Sequence, residues 1–298
     1  MEVTWGLMIV IYLFTAGLSA GAMLTSNIAL LRGGEAFERI SRWGAYISPF
    51  PIAMGTGMLL LDLGSPFNFY QLFLTLQVKS PMSYGSWAIF LFTGLSFIYF
   101  YLWLPEKVQI LGRLKNGERW KNRFAKFMPV LAVIVASYTG ILLNAAKRAL
   151  WSTPLLPVLF FVSALSTGIA AVILLASFSR RNRARHGELN FLVRFDLILI
   201  VVEGIIFGLM FILGRSSSLS EASAFRSLLV GDFAWIFWLC IVGLGLILPL
   251  ILELLELKGK IPVKWAVPIT LSSSFLVLLG GFFVRYVMTY AGQSSSWF

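Results

Sequence analysis

Residues 3–31, VTWGLMIVIYLFTAGLSAGAMLTSNIALL, hold no charged side chain, and their reading decides the fold class. A helix rises 1.5 Å per residue, so about 20 apolar residues cross the roughly 30 Å hydrocarbon core of a bilayer. This run is long enough to span. It is too long for the apolar core of a cleavable signal, and Met1-Glu2 lacks the positive charge that would precede one, so the expectation is a retained first span.

Outward from this run the pattern repeats. Further apolar stretches fall at about 44–61, 84–104, 127–146, 155–178, 193–213, 232–254 and 265–290. The chain is 58% hydrophobic and only 12% charged, against about 25% charged in soluble domains. The expectation is an all-α membrane protein of eight transmembrane helices, forming a single integral-membrane domain over 1–298 with no separate soluble part.

The net charge of +11 would suit a nucleic-acid partner if it formed one patch, but it does not. Of the 24 Lys and Arg, 18 fall in the four intervals 32–43, 105–126, 179–194 and 255–264. Such a bias over short connections marks the cytoplasmic side. Both termini, and the intervals 62–83, 147–154 and 214–231, are therefore expected on the extracytoplasmic side.

Some chemistry is excluded by what the chain lacks. Its one His, His186, lies in the basic stretch RRNRARHGE, and its one Cys, Cys240, lies in an apolar span. Membrane haems and iron–sulfur clusters need axial His or several Cys, and zinc needs a set of such ligands. The expectation is no haem, no iron–sulfur cluster and no metal site in this chain. Any redox partner it meets within the bilayer must be a diffusible apolar molecule.

The interval Asp62–Trp87, DLGSPFNFYQLFLTLQVKSPMSYGSW, differs from the other connections in being neither basic nor hydrophilic. Ser-Pro pairs at 65–66 and 80–81 bracket an aromatic and aliphatic run that suits an element lying in the interface. It reads either as a roof over an apolar ligand site or as a loop tucked against the helix ends.

Several polar groups fall inside spans. Glu203 lies near the middle of the sixth, and Asp196, seven residues earlier, projects from the same helix face. Intramembrane acids are costly and usually face the bundle interior. The two readings are a proton relay from the cytoplasm and a structural hydrogen bond. Arg285, near the outer end of the last span, either snorkels to the interface or pairs with Asp62 or Glu203. Glu253 and Glu256 read as solvated charges at a helix end, with a proton inlet as the alternative. Tyr12 and Tyr138 can each hydrogen-bond a ligand carbonyl and stack on a flat ring. Gly17, Ala20 and Gly21 permit close approach, either of a ligand or of a neighbouring helix. Lys147 and Arg148, with Trp151, read as interface anchors or as a docking surface.

Taken together, YLFTAGLSAGA at 12–22, LLLDLGSPFNFYQLF at 59–73, SPMSYGSWAIF at 80–90, SYTGILL at 137–143 and GGFFVRYV at 280–287 resemble the NrfD family, the integral-membrane subunits of polysulfide reductase-like complexes. The resemblance runs in order over nearly the whole chain. It implies two four-helix bundles, 1–146 with a quinone site and 147–298 with the acids of the proton path. It implies menaquinone or ubiquinone as a diffusible cofactor, bound near the extracytoplasmic face within the first four spans. It further implies an iron–sulfur electron-transfer subunit and a molybdopterin catalytic subunit on that face, in a bacterial cytoplasmic membrane. Of the family's quinone contacts, an Asn, a His and a Tyr, the matching positions here are Met8, Tyr12 and Tyr138, and only the Tyr is retained. The quinone-site residues expected are thus Tyr12, Gly17, Asp62 and Tyr138, with Asp62 as the proton-exchanging group beside the roof. Asp196, Glu203 and Arg285 form the expected proton path. Two other classes remain open at this point: a proton-coupled transporter, which would use the same charges, and a purely structural anchor for a peripheral enzyme.

Overall fold

The structure, a computed structural model, describes residues 5–62, 81–105, 117–146, 148–178, 186–216 and 219–294. The interval 63–80 and Lys147 lie outside the described residues, and the roof expected over the ligand site falls largely there.

The described secondary structure is helical: α1 (Leu7–Arg32), α2 (Glu35–Ile47), α3 (Pro49–Asp62), α4 (Pro81–Trp103), α5 (Gly117–Ala145), α6 (Leu155–Phe178), α7 (His186–Ser216), α8 (Leu219–Val230), α9 (Ile236–Ile247), α10 (Leu248–Leu257) and α11 (Val263–Ser294). Among the described residues, 8 helical stretches are long and apolar enough to cross a membrane. They match the eight expected spans one for one, α2 with α3 and α9 with α10 each making one crossing.

The helices run further than the apolar cores. The second span begins at Glu35 rather than near 44, and the fourth at Gly117 rather than near 127. Arg39, Arg42, Arg119, Lys121, Arg123 and Lys126 therefore sit on helical turns, not in loops. The physical reason is plain in α2. Its acids Glu35 and Glu38 stand in the first turn, where the helix dipole favours them, and Ile40, Ala45 and Ile47 are buried along one face. An amphipathic turn continues a helix past the hydrocarbon, and hydropathy alone stops at the last apolar residue. The exposed Arg42–Glu38 pair at 3.2 Å adds at most about 1 kcal/mol.

Helices α1 and α6 form the centre. In each, 78% of the most apolar stretch is buried, against 28–44% in the other spans. Helix α1 packs on α2, α3, α5, α6 and α11, and α6 also packs on α5, α7 and α11. The two cross with backbones touching. A methyl group at Gly21 would overlap the carbonyl of Ala164, and one at Gly168 would overlap the backbone of Gly21 and Ala22. Lipid tails are as apolar as any side chain, so such close packing of small residues is what drives helices together in a bilayer.

Short hydroxyls tie α1 to its neighbours. The Ser19 hydroxyl donates to the Ser48 carbonyl, where Pro49 interrupts the junction of α2 and α3. The Ser26 hydroxyl donates to the Ser41 carbonyl at 2.6 Å. Helix α9 is π-helical over 12 residues, a winding rarely sustained beyond a turn and often found beside functional sites.

Candidate ligand cavity and buried acid ladder

Helix α1 presents Ile9 and Tyr12 at helical spacing, with Trp5 just before its first turn, and all three line a cavity of about 270 Å³. Leu59 and Asp62 from the end of α3, Met82, Ser86 and Ile89 from the start of α4, and Tyr138 and Leu142 from the end of α5 complete it. Among the described residues, the wall is apolar apart from Ser86, Asp62, the Trp5 indole nitrogen and the two phenols. Asp62 is exposed, at the mouth.

Tyr12 is 1% exposed, and its hydroxyl has no hydrogen-bond partner among the described residues. A buried donor left unpaired costs roughly 1–3 kcal/mol, so this atom is available to a ligand. Tyr138 borders a second cavity of about 500 Å³, formed with Tyr84, Gly85, Val133, Ile134, Ser137 and Ile141. Val133, Ile134 and Ile141 are exposed apolar side chains, so this second cavity opens on the lipid-facing side. Its neighbour Gly85 makes room for the Tyr138 ring, since a methyl there would overlap the phenol.

Three of the four expected quinone-site residues, Tyr12, Asp62 and Tyr138, thus meet in one cavity. Gly17 does not. It faces the other way on α1, where an added methyl would lie 3.2 Å from Arg285 Nη2 and 3.3 Å from Ala164 Cβ. Trp5, which the sequence does not mark out, lines this cavity as well, and Gly85 borders the second one.

Arg285 is 0% exposed, so it does not snorkel. Its guanidinium donates to the Ser163 hydroxyl, to the Gly281 carbonyl at 3.0 Å and to the Phe160 carbonyl at 3.1 Å. It also interacts electrostatically with Glu203, which faces Ser163 as well. Beside Glu203 is a small void of about 10 Å³, bounded by Ser166 and Thr167 of α6 and by Ile241 and Gly245 of the π-helical α9, about the room one water needs.

From Glu203 a line of buried acids continues toward the C-terminal end of α10, which Lys258 and Lys260 follow. The Ser166 hydroxyl donates to Asp196 Oδ1 at 2.6 Å. Asp196 in turn interacts with Glu253 of α10. The Ser273 hydroxyl donates to Glu253 Oε1 at 3.1 Å, and the Thr270 hydroxyl to Glu256 Oε1 at 2.8 Å. Glu253 is 3% exposed, which corrects its reading as a solvated helix-end charge. The signal in the sequence is its position within the apolar run LPLILELLEL, not after it. Asp196 and Glu203 lie on one face of α7, as their spacing requires, and the structure brings Arg285 to that face.

At the other end of the molecule, Lys147 lies outside the described residues, but Arg148 and Trp151 are inward-facing rather than free for docking. Arg148 Nη1 donates to the Gln293 carbonyl at 2.7 Å, and the buried Trp151 indole donates to the Met288 carbonyl at 2.7 Å.

Comparison with known proteins gives this arrangement a family. The family described as "Polysulphide reductase, NrfD" matches residues 1–295. One of the polysulfide reductase chains of Wolinella succinogenes is 30% identical, over 98% of this protein and 95% of its own length. Protein NrfD of Escherichia coli is 30% identical, over 98% of this protein and 96% of its own length. One of the selenate reductase subunits of Mesobacillus selenatarsenatis is 28% identical, over 86% of this protein and 68% of its own length. With eight apolar helices and a family match over almost its full length, the chain is a multi-pass integral membrane protein and belongs to the NrfD family.

Proposed function

We propose that this chain is the membrane anchor and quinol- or quinone-reacting subunit of a respiratory oxidoreductase complex. The observation that carries this reading is the apolar cavity into which α1 and α5 bring Tyr12 and Tyr138, the first of which has a hydroxyl with no partner among the described residues. The residues present fit a quinone. A flat apolar ring suits the aliphatic and aromatic walls, and two phenol donors suit ring carbonyls. The lipid-side cavity beyond Tyr138 offers an isoprenoid tail a route from the bilayer. When bound, menaquinone or ubiquinone supplies a two-electron, two-proton couple. The chain's own residues do the rest: Tyr12 and Tyr138 hold the ring oxygens, Asp62 exchanges protons at the mouth, and Trp5 and Ile9 exclude water.

The relatives named for polysulfide and selenate reductases support a partner with redox centres. The reading places an iron–sulfur subunit, with a molybdopterin catalytic subunit beyond it, on the extracytoplasmic face of a bacterial cytoplasmic membrane. Both termini face that side, and the chain divides into a quinone-site bundle over 1–146 and a second bundle over 147–298. The ladder Glu203, Asp196 and Glu253, with Arg285 as the cation at its head, favours proton conduction from the basic side. This favours an electrogenic subunit over a structural anchor.

The test is quinone content and turnover of the purified complex. Wild type should carry extractable quinone and oxidise a soluble naphthoquinol, with Tyr138→Phe losing most of both. Full naphthoquinol turnover in Tyr138→Phe would reject the site.

A further inference from the structure

Among the described residues that line the cavity, Trp5 is the one that lies outside a helix. It precedes the first turn of α1, which begins at Leu7. Its position is set instead from the far end of the chain. The Trp5 N–H donates to Gln293 Oε1 at 2.8 Å, and Gln293 Nε2 donates back to the Trp5 carbonyl at 3.0 Å. A side-chain amide here pairs with a backbone amide as a neighbouring strand would, satisfying both groups of one peptide residue. Gln293 is 6% exposed and lies in the last turns of α11. The Trp5 ring in turn stacks on Trp151, with centroids 5.2 Å apart. Arg148 fastens Gln293 itself through its carbonyl.

We propose that Gln293 is a positioning residue for the ligand cavity: its paired hydrogen bonds to Trp5 hold the indole as a preformed wall beside Tyr12. The inference rests on the quinone reading and deepens it, by making the last span part of the site that the first, second, third and fourth spans line. Without the amide pair, Trp5 becomes a free residue ahead of a helix. It must then be ordered each time a ligand binds, and that ordering is taken from the affinity. Gln293 touches no reacting atom and acts only through Trp5.

The experiment uses the full chain purified in detergent, with menadione as the probe and tryptophan fluorescence as the readout. Trp5→Phe gives the share of the signal that belongs to Trp5. In wild type, menadione should quench that share saturably, and acrylamide should quench it poorly. In Gln293→Leu, losing two hydrogen bonds should weaken menadione binding by roughly tenfold, and acrylamide quenching of the Trp5 share should rise severalfold even without menadione. Gln293→Glu keeps the acceptor for the Trp5 N–H and should recover part of the affinity, and it serves where the Leu variant does not fold. In the intact complex, naphthoquinol KM should rise in these variants while kcat stays within about twofold. Wild-type menadione affinity together with unchanged acrylamide quenching in both Gln293 variants overturns the inference and leaves the quinone reading standing. Absence of saturable menadione binding in wild type overturns both.

Discussion

The Tyr138 ring lies over the bare Cα of Gly85, in space that a single methyl group would fill. Two consecutive helices, α4 and α5, thus share one fitted contact between the two cavities that Tyr138 borders. Gly85→Ala should push the phenol out of place and cost quinol-dependent turnover at least tenfold, close to the loss in Tyr138→Phe. Steady-state naphthoquinol oxidation by the assembled complex measures this. Equal rates in Gly85→Ala and wild type would show that the ring position does not matter.

Tyr12→Phe should move stability and binding in opposite directions. The Tyr12 hydroxyl is buried with no partner among the described residues, and removing it should relieve the ligand-free chain of about 1 kcal/mol. The same change removes a donor to the ligand, so quinone affinity should fall by about five- to tenfold. Thermal unfolding in detergent, with and without quinone, reads both effects. The ligand-free melting temperature should rise slightly, and the ligand-induced increase should shrink.

The acid ladder predicts a split between chemistry and charge movement. Glu203→Gln and Glu253→Gln should each cut proton uptake from the basic side of proteoliposomes severalfold, with quinol turnover less affected. Unchanged uptake in both would remove the ladder from the proton path.

Arg285 donates to two carbonyls and a hydroxyl while facing Glu203. Arg285→Leu removes the cation from a buried carboxylate, a change that costs about 3–5 kcal/mol when one member of a buried pair is lost. The variant should be recovered in low yield. Arg285→Leu combined with Glu203→Leu should recover much of the stability, which the yield of monodisperse protein reports. Arg285→Lys should rescue poorly, because an ammonium cannot reproduce the planar fork.

How far the site is legible in the sequence can be judged residue by residue. The eight spans are, because a bilayer demands apolar runs of about 20 residues, longer than a signal's apolar core or most buried helices supply. Asp196, Glu203 and Arg285 stand out because charge within such runs is rare. Gly17 groups with Tyr12 by nearness in sequence, yet five residues turn a helix to a direction about 140° away, and Gly17 faces Arg285 instead. Glu253 is misread from sequence because the groups around it, Ser273 of α11 and Asp196 of α7, come from other helices, a proximity no local pattern encodes. Trp5 escapes notice for the same reason, since Gln293 stands 288 positions along the chain.

The crossing of α1 and α6 bears on how the protein is made. During synthesis the first span enters the bilayer with its tightest contact face bare, and the segment that fits it is the fifth to emerge. Until then Gly21 lacks the Ala164 and Gly168 backbones that close on it. A nascent chain stopped after the fourth crossing should remain loosely assembled and open to proteolysis, and release of residues 155–178 into the membrane should be the step that locks the early helices together.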